Sequence, residues 1–276
     1  MEHTLFPFKT SLQCVLETKK QLPELEKLFE LLHHEGFYGV ELNLPDLELV
    51  KPGELKSLLD RYHLKMDMLA TGVYARQRGL SLSCTDIRER ARAVQGCKNN
   101  IDYAASMGCG IILGFFKGGP DDNPEQAQDY FLDSMMKLKP YIEVNNVPVL
   151  IEATNHKETS VVRTLEEGVR TVEYLDSPCI QLLADTYHMN IEEPSVLDSL
   201  ETFRSYYPHL HISDDNRAFP GLGSMDFSTI YRKLMQIGYN GSLAIEGNIQ
   251  SSWLEDTRQS ADYLHSTYTD LCPLHS

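Results

Sequence analysis

Short apolar runs alternate with longer amphipathic stretches along almost the whole of this 276-residue chain. Helix-forming stretches between successive strands are typical of a parallel sheet, and eight repeats in about 250 residues is the size of a closed (β/α)8 barrel. We therefore predict an α/β fold, a single TIM barrel spanning residues 1–276, with its active site at the C-terminal ends of the strands. The predicted strands are Phe8–Cys14, Tyr38–Leu44, Leu64–Thr71, Cys109–Phe116, Val147–Glu152, Cys179–Asp185, His209–Ser213 and Ser242–Glu246.

Apolar residues recur at helical spacing in several of the stretches between these strands. The predicted helices are Leu22–His34, Thr85–Met107, Ala127–Tyr141, Thr164–Leu175, Val196–Tyr207 and Ser228–Ile237. An open doubly wound sheet is the alternative architecture, but the chain has no GxGxxG, Walker or GxSxG motif. The segments 72–84 and 115–126 are predicted to be long loops on the ligand-binding face, the second of them a surface lid.

The composition of the chain limits the classes of function that we expect for the protein. A net charge of −15 disfavours binding to nucleic acid or to anionic lipid, and no apolar stretch has the length of a membrane helix. The N-terminus lacks the features of a secretory signal. The six cysteines are scattered without a CxxC pair, which is typical of reduced thiols in a cytoplasmic protein.

Four polar residues stand at the ends of the last four predicted strands. They are Glu152 in VPVLIEA, Asp185 in IQLLADTYH, His211 in HLHIS and Glu246 in SLAIEG. Neighbouring strands lie about 4.8 Å apart, so four consecutive strand ends curve around one point. Each residue also has a structural alternative, such as a solvated glutamate, a core histidine or an N-capping aspartate, but four coincidences on adjacent strands favour a metal site.

Three carboxylates and one imidazole form a hard, oxygen-rich ligand set. Such a set suits Mn²⁺, and also Mg²⁺ or Co²⁺, better than a structural zinc ion. Four protein ligands leave two octahedral positions for adjacent oxygens of a substrate.

The segments around these residues resemble a known family. IEATNHKE, DTYHMNIEE, HLHISDDNRAFPGLGSMDF and LAIEG are similar to the xylose isomerase-like barrels of the sugar isomerase/epimerase superfamily, above all to the D-tagatose 3-epimerase and D-psicose (allulose) 3-epimerase family. The resemblance implies that Glu152, Asp185, His211 and Glu246 bind one divalent metal ion and that Glu152 and Glu246 are the catalytic acid and base. It further implies that His188 and Arg217 hold substrate oxygens near the carbonyl, within a network that includes Glu158.

The chain also departs from this family. Ala153, Thr154, Asn155 and His156 replace the usual Pro-Leu-Asn-Arg, and the candidate aromatic lids are Tyr74, Phe115 and Phe116. The same motifs resemble relatives that act on 3-keto-glycosides, so the sugar stays open between a free ketose and a keto-glycoside. Arg217 has an alternative role as a surface ion pair with Asp214 or Asp215.

The predicted function is epimerisation at C3 of a ketose or keto-sugar, by proton abstraction through a metal-bound enediolate. The alternatives are an epimerase or β-elimination lyase (deglycosidase) acting on a 3-keto-glycoside, and an aldose–ketose isomerase. An apurinic endonuclease and a non-catalytic sugar-binding barrel are the hypotheses from other classes. The only partner that we expect is a small sugar substrate, with homodimer or homotetramer formation compatible with the sequence.

Overall fold

The structure is a computed structural model that describes residues 6–121 and 123–271. Eight parallel strands pair in chain order, and β1 also pairs with β8, which closes the barrel. The strands are β1 (Lys9–Val15), β2 (Gly39–Asn43), β3 (Lys65–Ala70), β4 (Gly110–Leu113), β5 (Val149–Glu152), β6 (Ile180–Asp185), β7 (His209–Ile212) and β8 (Ser242–Ile245). The predicted TIM barrel is confirmed.

Helices connect successive strands. They are α1 (Leu22–His34), α2 (Pro52–Arg61), α3 (Gly72–Arg78), α4 (Ile87–Met107), α5 (Pro124–Asn145), α6 (Leu165–Leu175), α7 (Thr186–Glu192), α8 (Val196–Thr202), α9 (Phe227–Gln236) and α10 (Trp253–Leu271). Helix α1 has the predicted bounds. Polar side chains cap the N-termini of several others; Thr164, for example, accepts a hydrogen bond from the N–H of Glu167 at the start of α6.

The two predicted loops on the ligand-binding face contain regular structure. The first seven residues of segment 72–84 form α3, which ends at Gly79 in the left-handed conformation (φ 60°). The predicted lid begins with a 3-10 turn, Phe115–Lys117, and its last residues already belong to α5, whose N-cap is Asn123. The unstructured part of each loop is therefore shorter than the sequence suggested.

The interior of the barrel has an apolar half and a polar half. Met68, Ile112, Leu150 and Leu183, one from each of β3 to β6, form a small cluster separate from the main core. On the opposite side, strands β1, β2 and β7 contribute buried polar residues to the same interior: Ser11, Gln13, Glu41, His209 and His211. A polar wall inside a barrel requires hydrogen-bond partners, and it lies directly below the strand ends where the predicted site is found.

Two further features of the described residues are the polarity of the helices and the state of the cysteines. Among residues 6–121 and 123–271, no helix has the length and apolar character required to cross a bilayer. The five cysteines within these ranges are all free thiols, as expected from their spacing; the sixth, Cys272, lies outside the described residues.

Candidate metal centre and substrate pocket

The strand ends bring the four predicted metal ligands together. Glu152 and Asp185 are the last residues of β5 and β6, His211 is level with Asp185 in the parallel register, and Glu246 directly follows β8. One ligand atom from each side chain lies within 4.8 Å of all the others. Nδ1 of His211 is 2.8 Å from Oε2 of Glu246, 3.6 Å from Oε1 of Glu152 and 3.9 Å from Oδ2 of Asp185.

Orphaned oxygens show that this cluster fits a cation. Oε1 of Glu152 and Oδ2 of Asp185 are buried, yet neither accepts a hydrogen bond from the described residues. Buried oxygens without partners are rare in folded proteins because they lose their hydration without compensation. A divalent cation held by Glu152, Asp185, His211 and Glu246 would supply the missing partner.

The pKa values of the Asp185 and Glu246 carboxyl groups also bear on whether this cluster holds a cation. Burial raises the pKa of Asp185 to about 7, and the nearby Glu246 and Glu152 carboxylates act in the same direction against the attraction of Arg217. Burial also opposes ionisation of Glu246, but His211 and Arg217 overcome it and lower the pKa of that carboxyl to about 2. Because the pKa of Asp185 is raised among these carboxylates, a bound cation would favour its ionised form.

His188 faces the same centre from the first turn of α7. Its Nε2 is 3.7 Å from Oε1 of Glu152 and 3.9 Å from Oδ2 of Asp185. Burial and the adjacent Arg217 guanidinium lower the pKa of His188 well below its usual value, so the ring is neutral at pH 7. The main-chain N–H of Asn155 donates to Nδ1. Nε2 lies 3.1 Å from Nη1 of Arg217, a group that can only donate, so the ring contacts the guanidinium through this nitrogen.

Arg217 is part of the site and not a surface ion pair. Its guanidinium lies 3.7 Å from Glu246, 3.9 Å from Asp185 and over the ring of Tyr187. The predicted alternative partner Asp214 is occupied elsewhere, because its carboxylate accepts hydrogen bonds from main-chain N–H groups of its own loop. The positively charged guanidinium of Arg217 thus lies beside the ligand cluster, where a substrate oxygen can reach it.

Glu158 occupies the outer wall of the site. It is exposed, lines the pocket, and is one of the acidic groups that raise the pKa of Arg217. Its carboxylate makes no hydrogen bond or ion pair with residues 6–121 and 123–271, so its link to the predicted network is electrostatic.

A cavity of about 580 Å³ opens above the cluster, a volume typical of small-ligand sites. Among the predicted aromatic lids, Phe115 lines it, whereas Phe116 and Tyr74 are buried in the main core. Those two assignments were wrong. The 3-10 turn after β4 directs Phe115 and Phe116 to opposite sides, and Tyr74 lies on the buried face of α3, where its ring is 6.4 Å from that of Phe116. Trp253, at the start of α10, contributes an aromatic wall.

Several further residues serve the site but were not predicted. Gln13 and Asn43 line the cavity floor from β1 and β2, and Asn155 orients His188. Lys117 is fully buried and donates to the carbonyl oxygen of Glu152 and to Oγ1 of Thr154. The sequence signal that could have revealed Gln13 and Asn43 is a polar residue inside an apolar strand, as in SLQCV and VELN. Such a residue indicates a side chain that faces the barrel interior.

The comparison with known families agrees with this geometry. The xylose isomerase-like TIM barrel family matches residues 29–267, most of the chain. The protein belongs to this family.

Several named proteins are similar to this chain over part or most of its length. The chain is 36% identical over 115 residues to a D-psicose 3-epimerase of Ruminiclostridium cellulolyticum, a match that covers 42% of this chain and 39% of the relative. It is 27% identical over 247 residues to a D-psicose 3-epimerase of Enterocloster bolteae, covering 83% and 78%. The crystal structure of a 3-keto-D-glucoside 4-epimerase from E. coli shares the fold, with a TM-score of 0.77, 21% identity and coverage of 95% and 99%.

Proposed function

We propose that this protein is a divalent-metal-dependent epimerase acting at C3 of a ketose or keto-sugar. The observation that carries the proposal is the convergence of Glu152, Asp185, His211 and Glu246 beneath an open cavity, with orphaned carboxylate oxygens at the centre. The curated relatives named as 3-epimerases support the reaction class.

The chain supplies both proton-transfer groups. Glu152 and Glu246 lie on β5 and just after β8, on either side of His211. One carboxylate removes the C3 proton and the other delivers a proton to the opposite face, which inverts the centre; such acid–base catalysis typically contributes about 10²–10⁴-fold. When bound, Mn²⁺ (or Mg²⁺ or Co²⁺) supplies Lewis-acid polarisation of the substrate carbonyl.

The other site residues bind and orient the sugar. Arg217 presents N–H donors to a substrate oxygen beside Glu246. His188 lines the pocket and contacts the Arg217 guanidinium through Nε2, so it helps to orient that group toward the carbonyl end of the sugar. Phe115 and Trp253 limit access of water to the reacting carbon, and Glu158 at the rim accepts hydrogen bonds from sugar hydroxyls.

A second candidate substrate is a 3-keto-glycoside. An apolar cavity of about 360 Å³ adjoins the main pocket and shares Val15 and Trp253 with it, and Leu25, Leu28 and Leu254 line its far side. This cavity has the chemistry to accept an apolar aglycone, and the E. coli protein that shares the fold is a 3-keto-D-glucoside 4-epimerase. On such a substrate the outcome is either epimerisation or β-elimination of the aglycone.

One experiment separates these reactions. Purified protein with Mn²⁺ is incubated in D₂O with a panel of ketoses and 3-keto-glycosides, and products are followed by NMR. Inversion and deuterium incorporation at C3 are expected for the first candidate, and release of free aglycone indicates the lyase. Absence of exchange on every substrate, with bound metal confirmed, contradicts the proposal.

The cellular setting is part of the same proposal. A cytoplasmic location is supported by the free thiols. Association into homodimers or homotetramers is proposed from the sequence, and size-exclusion chromatography with light scattering tests it.

A further inference from the structure

A fully buried carboxylate lies below the metal centre, outside the predicted ligand set. Glu41 stands in the middle of β2, with no exposed surface. Its Oε2 is 3.0 Å from Nε2 of His211 and 3.1 Å from Nε2 of Gln13. Its Oε1 is 2.6 Å from Nε2 of His209, whose Nδ1 in turn meets the hydroxyl of Ser242.

The contacts account for a carboxylate that would otherwise be costly to bury. An isolated charge inside a barrel loses its hydration, so it requires charge-assisted hydrogen bonds to remain ionised. Glu41 has two imidazoles and one amide as neighbours, and all three carry nitrogens within 3.1 Å of its oxygens. Glu41 is therefore an acceptor for the N–H groups that surround it.

The two nitrogens of His211 face different partners. Nδ1 faces Glu246, Glu152 and Asp185, whereas Nε2 faces only Glu41. A histidine ligand binds a metal through a nitrogen that has no proton, and the other nitrogen then carries the hydrogen. A carboxylate that accepts this hydrogen fixes both the tautomer and the plane of the ring.

We propose that Glu41 is a positioning residue, which accepts the Nε2–H of His211 and thereby presents Nδ1 to the ion. The inference rests on the metal site of the proposed function and adds a residue that touches neither ion nor substrate. His209 and Gln13 hold Glu41 in place through its remaining contacts.

A separate ion bound by Glu41, His209 and His211 is the competing reading of this cluster, because the three side chains also offer closely spaced ligand atoms. The distances favour direct contact between the side chains. Oε1 of Glu41 and Nε2 of His209 are only 2.6 Å apart, whereas metal–ligand bonds of about 2.0–2.2 Å on each side of an ion hold ligands farther apart. Oε2 of Glu41 is hydrogen-bonded to Nε2 of His211, whereas Oε1 and Nε2 of His209 form an ion contact without hydrogen-bond geometry.

The test compares Mn²⁺ binding by wild-type protein, Glu41→Gln, Glu41→Asp and the control Asp67→Asn, using isothermal titration calorimetry on metal-free samples. Asp67 is another carboxylate in the barrel wall; it bonds to Ser11 and not to a predicted ligand. We expect Glu41→Gln to weaken Mn²⁺ binding by about 10–100-fold, Glu41→Asp to weaken it because the shorter side chain cannot reach His211, and Asp67→Asn to bind like the wild type.

Turnover gives a second readout. Because Glu41 does not touch the substrate, excess Mn²⁺ should restore kcat in Glu41→Gln, which a general loss of structure would prevent. If Glu41→Gln does not fold, Glu41→Asp decides alone. Wild-type affinity in the folded Glu41 variants overturns the inference while leaving the proposed function intact, whereas a wild-type protein that binds no Mn²⁺ contradicts the proposed function itself.

Discussion

Glu246 combines two proposed roles, since it is both a candidate metal ligand and a candidate acid–base group. Changing Glu246→Gln keeps the size of the side chain but removes its charge and its basicity. We expect kcat for epimerisation to fall by about 10²–10⁴-fold. The thermal stability of the metal-free protein should change little because the side chain lies at the partly exposed strand end. Steady-state kinetics with saturating Mn²⁺ measure the effect.

The matched control is Glu255→Gln, which removes an exposed carboxylate on α10. It should retain wild-type kinetics. A Glu246→Gln enzyme within twofold of the wild type would remove Glu246 from the proposed mechanism.

Sequence alone predicts the residues whose position in the barrel is fixed by local pattern. Glu152, Asp185, His211 and Glu246 each end an apolar run, and closure of the barrel brings such ends together. Glu41 interrupts the apolar strand VELN, which indicates an interior side chain, but its partner His211 lies 170 positions away in the chain. Its role depends on register between strands that only the folded barrel reveals.

The loop between β7 and α9 is built around one carboxylate. Asp214 is fully buried and accepts hydrogen bonds from the N–H groups of Asp215, Gly221, Gly223 and Met225. This arrangement holds the turn in which Arg217 adopts a positive φ of 59° and directs its guanidinium into the site. The main-chain conformation of this loop therefore determines where the Arg217 guanidinium would meet a substrate.

Asp214→Ala would leave these N–H groups without their acceptor. Because the donor residues are exposed or half-buried, water can replace part of the lost acceptor, and we expect the free energy of unfolding to fall by about 1–3 kcal/mol. KM should also rise as Arg217 loses its position. Chemical denaturation and steady-state kinetics measure the two effects.

Asp215→Ala is the control for that substitution, because Asp215 is an exposed neighbour whose carboxylate bonds only to Ser224. It should cost less stability and leave KM near its wild-type value. Equal losses in the two variants would argue against a special role for Asp214.

The 3-10 turn after β4 supports the end of β5. Lys117 reaches across to the carbonyl oxygens of Glu152 and Val162 and to Oγ1 of Thr154. Burial lowers the pKa of Lys117 to about 7, against the pull of nearby carboxylates. The side chain therefore acts as a hydrogen-bond donor that fixes the main chain at Glu152.

Lys117→Met fills the same space without a donor. We expect kcat to fall because the Glu152 main chain is no longer fixed, and stability to change by about 1–3 kcal/mol in the destabilising direction, since the buried carbonyl groups lose their partner. Lys157→Met, which alters an exposed lysine at the same pocket, should be close to wild type in thermal melts. Unchanged kcat in Lys117→Met would show that the turn does not position Glu152.

Element boundaries were predictable where periodicity was long and capped, as in α1. Four helices of the described residues were not predicted: α2, α3, α7 and α10. The short α3 and α7 carry too little periodic signal in one or two turns, but short length does not explain the 19-residue α10. Predicted strands were also one to three residues too long at some ends, as at Cys109–Phe116 against the observed Gly110–Leu113. Apolar residues after a strand continue into turns that pack on the core, so hydrophobicity alone does not locate the end of pairing.

At the scale of the whole molecule, charge is distributed to favour a divalent cation at one place. The candidate ligands contribute three carboxylates, and Arg217 offsets one of them. The acidic surface, with an overall formal charge of −15, also attracts cations toward the barrel mouth.

Binding of an ion to the folded protein alone must therefore stabilise the whole barrel. At a free Mn²⁺ concentration of 100 times Kd, linkage gives about 2.7 kcal/mol, which for a chain of this size corresponds to a rise in Tm of about 5–10 °C. Protein stripped with a chelator should melt earlier and lose activity, and added Mn²⁺ should restore both. Asp185→Asn should show no such Tm shift, because it removes the charge of a fully buried ligand. A shift of equal size in Asp185→Asn would place the ion elsewhere, and full activity of the stripped protein would contradict metal-dependent epimerisation.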